Sequence, residues 1–190
     1  SLMAGYDQAD SWATDAHKWL NVPYDCGLVF CRHPQALHAA MAASASYLIE
    51  TDQREPHLTV PEMSRRARGV EIWAALRSLG RFGLTEMIER TCVLAQQFAD
   101  GLRGAGYDIL NEVLSNQVLV SFGDADTTRQ VIAAVQQDGT AWCGGTVWHG
   151  QAAMRISVSG WATTEADVSR SLNAMIRVAN EVRARTGVRS

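Results

Sequence analysis

The sequence predicts an α/β protein in two parts. A short strand-bearing segment covers residues 1–55, and a compact domain of helices packed on a short sheet (an α+β small domain) covers 56–190. Three observations carry this. The run CGLVFCR (Cys26–Arg32) is apolar and β-branched and stops at His33-Pro34, as a strand does. From Ser64 to Gly104 the apolar residues recur at three- and four-residue steps. Beyond residue 116, strand-like and helix-like runs alternate.

The elements follow in order. DSWATD is a candidate strand, and the continuous apolar character of CGLVFCR predicts a strand in a sheet buried on both faces. PQALHAAMAASASYL begins with helix formers, but ETDQREPHLTVPEM is polar, holds two prolines and reads as loop, so the domain boundary is expected there. Ile72, Leu76 and Leu79 share a helical face with Trp73 beside it, and Gly80 is a plausible stop. A second helix carries Leu84, Met87, Ile88, Ala95, Phe98 and Leu102 on one stripe, and the three glycines of GLRGAGY end it.

QVLVSF is a strand. DADTTRQVIAAVQQDG is a helix capped near Asp126 and ended at Gly139. Cys143, Gly144 and Gly145 read as a turn into a strand around Val147. AAMRISVSG is a strand with Met154, Ile156 and Val158 on one face. The last helix starts at TTEADV, capped by Thr163 or Thr164, and runs through Val168, Leu172, Met175, Ala179 and Val182. The six tryptophans are expected to pack in cores and interfaces, Trp73 in particular.

Composition narrows the function classes. With 47% hydrophobic and 19% charged residues the chain is an ordinary globular one. Its 17 basic against 20 acidic side chains give a net charge of −3, which supplies no attraction to nucleic acid or to an anionic membrane. The four cysteines form no CxxC pair and no metal-ligand series, which suggests reduced thiols in a cytoplasmic protein and no metal site. No apolar run reaches the ~18 residues that a membrane helix needs.

One short stretch asks for chemistry. In DAHKWL, His17 and Lys18 stand side by side between Asp15 and Trp19, just before the apolar strand. An amine of lowered basicity there can form an imine with an aldehyde cofactor, and the neighbouring imidazole can donate to a phosphate. The plainer reading is a surface lysine at a strand end beside a satisfied loop histidine. The dipeptide alone does not decide between them.

The wider stretch ADSWATDAHKWLNVPYDCGLVF resembles the cofactor-lysine segment of the pyridoxal-phosphate-dependent group II amino-acid decarboxylases of fold type I. SRRARGVEIWAALRSLGRFGL resembles the family's paired-arginine helix and its Gly-Leu junction, and AMRISVSGWATTEADVSRSL its C-terminal strand and capped helix. ASASYL falls between them, with Tyr47 where the aromatic decarboxylases carry a mobile-loop tyrosine. The matches run in order from Ala9 to about Met175.

The resemblance implies that Lys18 is the Schiff-base lysine, with His17 and Asp15 beside the cofactor; many members have asparagine where Asp15 stands. It implies that Tyr47 helps protonate the carbanionic carbon after carbon dioxide leaves, and that a tyrosine there favours amine over aldehyde. Arg155 alternates with Met154 and Ile156 and so points the other way, where a guanidinium can grip a substrate carboxylate; a surface arginine on an open sheet face is the equal alternative. Arg65 and Arg66 are expected to brace the domain junction.

The same resemblance makes the chain the C-terminal part of a fold type I enzyme: the last strands of the large domain plus the C-terminal small domain. The family's pyridine-nitrogen aspartate, its ring-stacking histidine and much of its phosphate cradle precede the lysine by more residues than the chain has. The expected function is therefore the C-terminal portion of a decarboxylase that is homodimeric as a whole and acts on a small-molecule amino acid. The 190 residues alone are expected to bind pyridoxal 5'-phosphate weakly and to be inactive. Two alternatives stay open: another fold type I enzyme, such as an aminotransferase or carbon–carbon lyase, or a non-catalytic module kept for dimerisation.

Overall fold

The computed structural model describes residues 3–42 and 55–186. It divides into two compact units, Ser1–Ser78 and Leu79–Ser190. The boundary therefore lies well past the predicted 55/56. Residues 56–78 belong with the first unit because Ile72 and Ala75 pack on Ala16, Val22 and Cys26, together with Leu20 and Leu28.

In the first unit, β1 (Ser11–Asp15) pairs antiparallel with β2 (Gly27–Cys31), in a register running from Ser11 opposite Cys31 to Asp15 opposite Gly27. The loop 16–26 tucks in Ala16, Val22 and Cys26 as a small core. Helix α1 (Pro34–Met41) follows, with proline in its first turn, where a missing N–H does no harm. The prediction that the second strand is buried on both faces is not met. Among the described residues β2 pairs only with β1, and Val29 and Phe30 are exposed.

Helix α2 (Gly69–Gly104) contains the predicted stop as a kink. Gly80 adopts φ 60°, ψ −171°, a conformation open to glycine, and the helix resumes immediately. Asp25 accepts from Arg66 and Arg68, and Arg66 also pairs with Glu71. The arginines thus brace the loop 16–26 within the first unit, and Arg65 instead donates to the Glu62 carbonyl.

The second unit is an antiparallel sheet in the order β3-β4-β6-β5, where β3 is Asp108–Ile109, β4 Gln117–Ser121, β5 Gly144–Trp148 and β6 Gln151–Ser157. Helices α3 (Ala125–Asp138) and α4 (Glu165–Thr186) and the C-terminal stretch of α2 share its core. Phe122, Leu94, Leu102, Met154 and Met175 are its largest fully buried side chains. Met154, Ile156 and Val158 point inward as predicted.

The α3 cap is Asp124 rather than Asp126. The Asp124 carboxylate accepts from the Thr127 N–H at 2.7 Å, whereas Asp126 pairs with Arg129 one turn on. Helix α4 is capped by Thr164, whose hydroxyl accepts from the Asp167 N–H while Asp167 accepts from the Thr164 N–H, a reciprocal box.

None of the six tryptophans is buried; Trp73 is 65% exposed, so its role is not in this chain's core. The second unit is filled mainly by Phe, Leu, Ile, Met and Val, and its one buried aromatic with a polar group, Tyr107, donates its hydroxyl to Asn180. All four cysteines are free, and burial pushes the Cys143 thiol up to about 11, which removes it as a nucleophile.

Gly101 of α2 faces Leu172 of α4 at close range. A Cβ added there meets the Leu172 Cδ2 at 2.2 Å. Gly101→Val is expected to lower the stability of the second unit by about 1–3 kcal/mol through overpacking. Urea denaturation reads this as a lower midpoint, and Leu172→Ala in the same chain is expected to recover part of the loss.

Candidate active site

Lys18 sits on the turn that leaves β1. The strand ends at Asp15 because Ala16 turns into the small core, and the Lys18 N–H donates to the Asp15 carbonyl at 3.0 Å to close the turn. The chain then folds back through Asn21, at φ 56°, whose side-chain amide donates to the Trp19 carbonyl. This geometry turns the lysine outward, with its side chain 70% exposed. It is also the only lysine in the sequence, where every other basic residue of the Lys and Arg class is arginine.

His17 is held by the loop. Its Nδ1 lies 2.9 Å from the Cys26 carbonyl oxygen and 3.0 Å from the Cys26 nitrogen, and its own N–H donates to the same carbonyl. The Tyr24 ring meets the imidazole edge-on, with centroids 4.6 Å apart. Nδ1 is thus committed to the fold, and among the described residues Nε2 is the ring nitrogen left to meet a ligand.

Asp15, expected beside the cofactor, faces the Lys18 amine. Its Oδ2 lies 2.5 Å from the Lys18 Nζ. The hydrogen bond from Lys18, then its charge, hold the Asp15 carboxyl below the usual carboxylate range. The carboxylate serves the amine, and it offers a phosphate no donor.

Tyr47 lies outside the described residues. Arg155 is exposed on β6, opposite Leu119 of β4 and Gly144 of β5, on the face turned away from Met154 and Ile156. It belongs to the second unit, whereas Asp15, His17 and Lys18 belong to the first. A cleft lined by Phe82, Glu89, Val93 and Thr163 contains none of the predicted residues. Among the described residues no trio of His, Cys, Asp or Glu is gathered to hold a metal.

An outward primary amine at a strand end, next to an imidazole with one uncommitted nitrogen, suits an anionic aldehyde cofactor. Two features of this site went unread in the sequence. One is the Asp15–Lys18 pair, which the Asp-x-x-Lys spacing signals once a turn is known to follow the strand. The other is the uniqueness of Lys18, which a residue count gives directly.

Comparison with known proteins agrees with this chemistry. A family model described as the pyridoxal-dependent decarboxylase conserved domain matches residues 1–123. Histidine decarboxylase of Drosophila melanogaster is 28% identical over 187 residues, which cover 95% of this chain and 22% of that protein. Aromatic-L-amino-acid decarboxylase of Drosophila lebanonensis is 32% identical over 126 residues, covering 64% of this chain and 30% of that protein. In fold, the chain is similar to the crystal structure of Oryza sativa TDC with PLP and tryptamine, with a TM-score of 0.86 and 21% identity over 94% of this chain and 40% of that one. The chain thus spans well under half the length of these relatives.

Proposed function

Because this chain belongs to the pyridoxal-dependent decarboxylase family, we propose that it supplies the cofactor lysine of an amino-acid carboxy-lyase, which releases carbon dioxide and leaves an amine. The observation that carries this reading is a lone, outward lysine next to a loop-anchored histidine at the end of β1. The substrate class is an L-amino acid, in keeping with the names of the relatives above.

Each residue has a definite task. Lys18 would hold pyridoxal 5'-phosphate through Nζ, and His17 would offer it Nε2. When bound, the cofactor supplies an electron sink for the pair of electrons left by the departing carboxylate. The loop's hydrogen bonds to His17 keep the imidazole beside the amine through the cycle. Tyr47 returns a proton to the substrate's α-carbon, and Arg155 grips a carboxylate of the substrate.

Tyr47→Phe is expected to cut amine production by about 10²–10⁴-fold, the usual contribution of a positioned proton donor. Aldehyde is expected to appear in place of part of the amine, which chromatography of both products reads directly.

The proposal includes a homodimer located in the cytoplasm. Trp12 and Phe30, cross-strand partners on the β1–β2 ribbon, are both exposed, and such an apolar pair gains from being covered. No helix of the described residues is long and apolar enough to cross a membrane. The test of the function is amine release by the product of the complete reading frame, assayed across a panel of amino acids. Release from at least one supports the reading, and none from any overturns it. The 190 residues alone are expected to bind the cofactor weakly and to release no amine.

A further inference from the structure

We infer that Arg68 is a positioning residue for His17: its guanidinium fixes Asp25 and Cys26, and the Cys26 backbone in turn aims the imidazole so that Nε2 meets the cofactor's phosphate. This role depends on His17 meeting that phosphate, as proposed above, and it assigns a task at the site to a residue just before α2.

Three links, all within the first unit, join the two side chains. The first is a fork. Arg68 donates through Nε and a terminal nitrogen to the two Asp25 carboxylate oxygens, at 3.1 and 3.3 Å, and Nε also lies 3.0 Å from the Asp25 carbonyl. Arg66 donates to the same carbonyl at 3.2 Å, and Glu62 holds the other terminal nitrogen of Arg68 at 3.2 Å. The second link is the buried Cys26 thiol, which donates to the Arg68 carbonyl at 3.1 Å. The third is the Cys26 backbone. Its N–H donates to the His17 Nδ1 at 3.0 Å, and its carbonyl accepts from the His17 N–H at 3.1 Å.

The residue types suit the task. A planar guanidinium has rigidly spaced donors that meet a carboxylate with two bonds at once. An imidazole that accepts at Nδ1 carries its ring proton on Nε2, which makes Nε2 a donor, as an anionic phosphate requires. Without the fork, the backbone at 25–26 loses its two-point hold, and the Cys26 N–H loses its fixed aim at Nδ1.

The experiment uses the product of the complete reading frame, stripped of cofactor. It measures the dissociation constants of pyridoxal 5'-phosphate and of pyridoxal, which has the aldehyde but no phosphate. His17→Gln is expected to weaken pyridoxal 5'-phosphate about tenfold, the scale of one hydrogen bond to a charged group, and to leave pyridoxal unchanged. Arg68→Gln is expected to weaken pyridoxal 5'-phosphate about three- to tenfold, again sparing pyridoxal, and to add nothing further in the His17→Gln chain. Asp25→Asn keeps the shape of the side chain and removes the charge that the fork grips. It is expected to follow Arg68→Gln, and it supplies the same test where Arg68→Gln does not fold.

A merely structural arginine would weaken both aldehydes together. Where His17→Gln shows its selective loss, an unchanged ratio of the two constants in Arg68→Gln and Asp25→Asn overturns the role of Arg68 and leaves the His17 contact standing. Losses that add to that of His17→Gln do the same. A His17→Gln chain that keeps the parent's ratio overturns the phosphate contact itself, and the role of Arg68 with it. A parent that binds neither aldehyde overturns both, together with the attachment to Lys18.

Discussion

Lys18→Ala is expected to abolish amine production by the product of the complete reading frame, a loss on the order of 10⁴-fold or more, as for other covalent catalytic groups. No second lysine in these 190 residues can take over, since there is none. Lys18→Arg sharpens the test. Arginine preserves the positive charge and can still pair with Asp15, but its guanidinium does not deprotonate and cannot act as the nucleophile. If Lys18 served only as a surface charge, Lys18→Arg would be nearly neutral. The proposed chemistry predicts that it is as inactive as Lys18→Ala, while circular dichroism of both variants stays that of the parent, because the side chain is exposed and holds no core in place.

Phe122→Ala is expected to destabilise the second unit by about 3–5 kcal/mol, the usual loss for a fully buried phenylalanine. Three contacts meet at this residue. Its ring lies 4.8 Å from that of Tyr107, its carbonyl accepts from Arg183, and its N–H donates to the Thr128 hydroxyl. Arg183 in turn stacks on the Tyr107 ring at 4.4 Å, and the Tyr107 hydroxyl donates to Asn180. Truncation leaves a cavity between the end of β4 and α4, and it removes the aromatic partner that orients Tyr107. A much lower urea midpoint, with an unchanged slope, is the expected reading. Tyr107→Phe, which loses one hydrogen bond but keeps the ring, is expected to fall by only about 1 kcal/mol.

The fold of the second unit was legible because each signal was local. Asp124 and Gly139 bracket α3, the Thr164–Asp167 box starts α4, and the alternation of Met154, Ile156 and Val158 names the buried face of β6. The cap of α3 was displaced by two residues because Asp124 and Asp126 are equally good caps by type, and only the chain's exit from β4 selects between them. Gly80 was legible as a break but not as a kink, since whether a helix resumes depends on what its next turn packs against.

The first unit was less legible. An apolar strand reads as doubly buried, yet the burial of Val29 and Phe30 depends on neighbours that the run CGLVFCR does not contain. The tryptophans were misread for a related reason. Trp12, Trp142 and Trp161 are apolar enough for a core, but all three are exposed, and the aromatic places in the core of the second unit are taken by Phe98, Tyr107 and Phe122. Of the site, Lys18 and His17 could be located by motif, whereas the Asp15 carboxylate on the amine required the turn that follows β1.

The proposed function stands or falls on whether the Lys18 amine carries the cofactor. Its most direct test is to incubate the product of the complete reading frame with pyridoxal 5'-phosphate, reduce with borohydride, digest, and locate the added mass. A phosphopyridoxyl group is expected on the peptide spanning DAHKWL and is expected to be absent from Lys18→Ala. An adduct found elsewhere, or one that persists undiminished in Lys18→Ala, contradicts it.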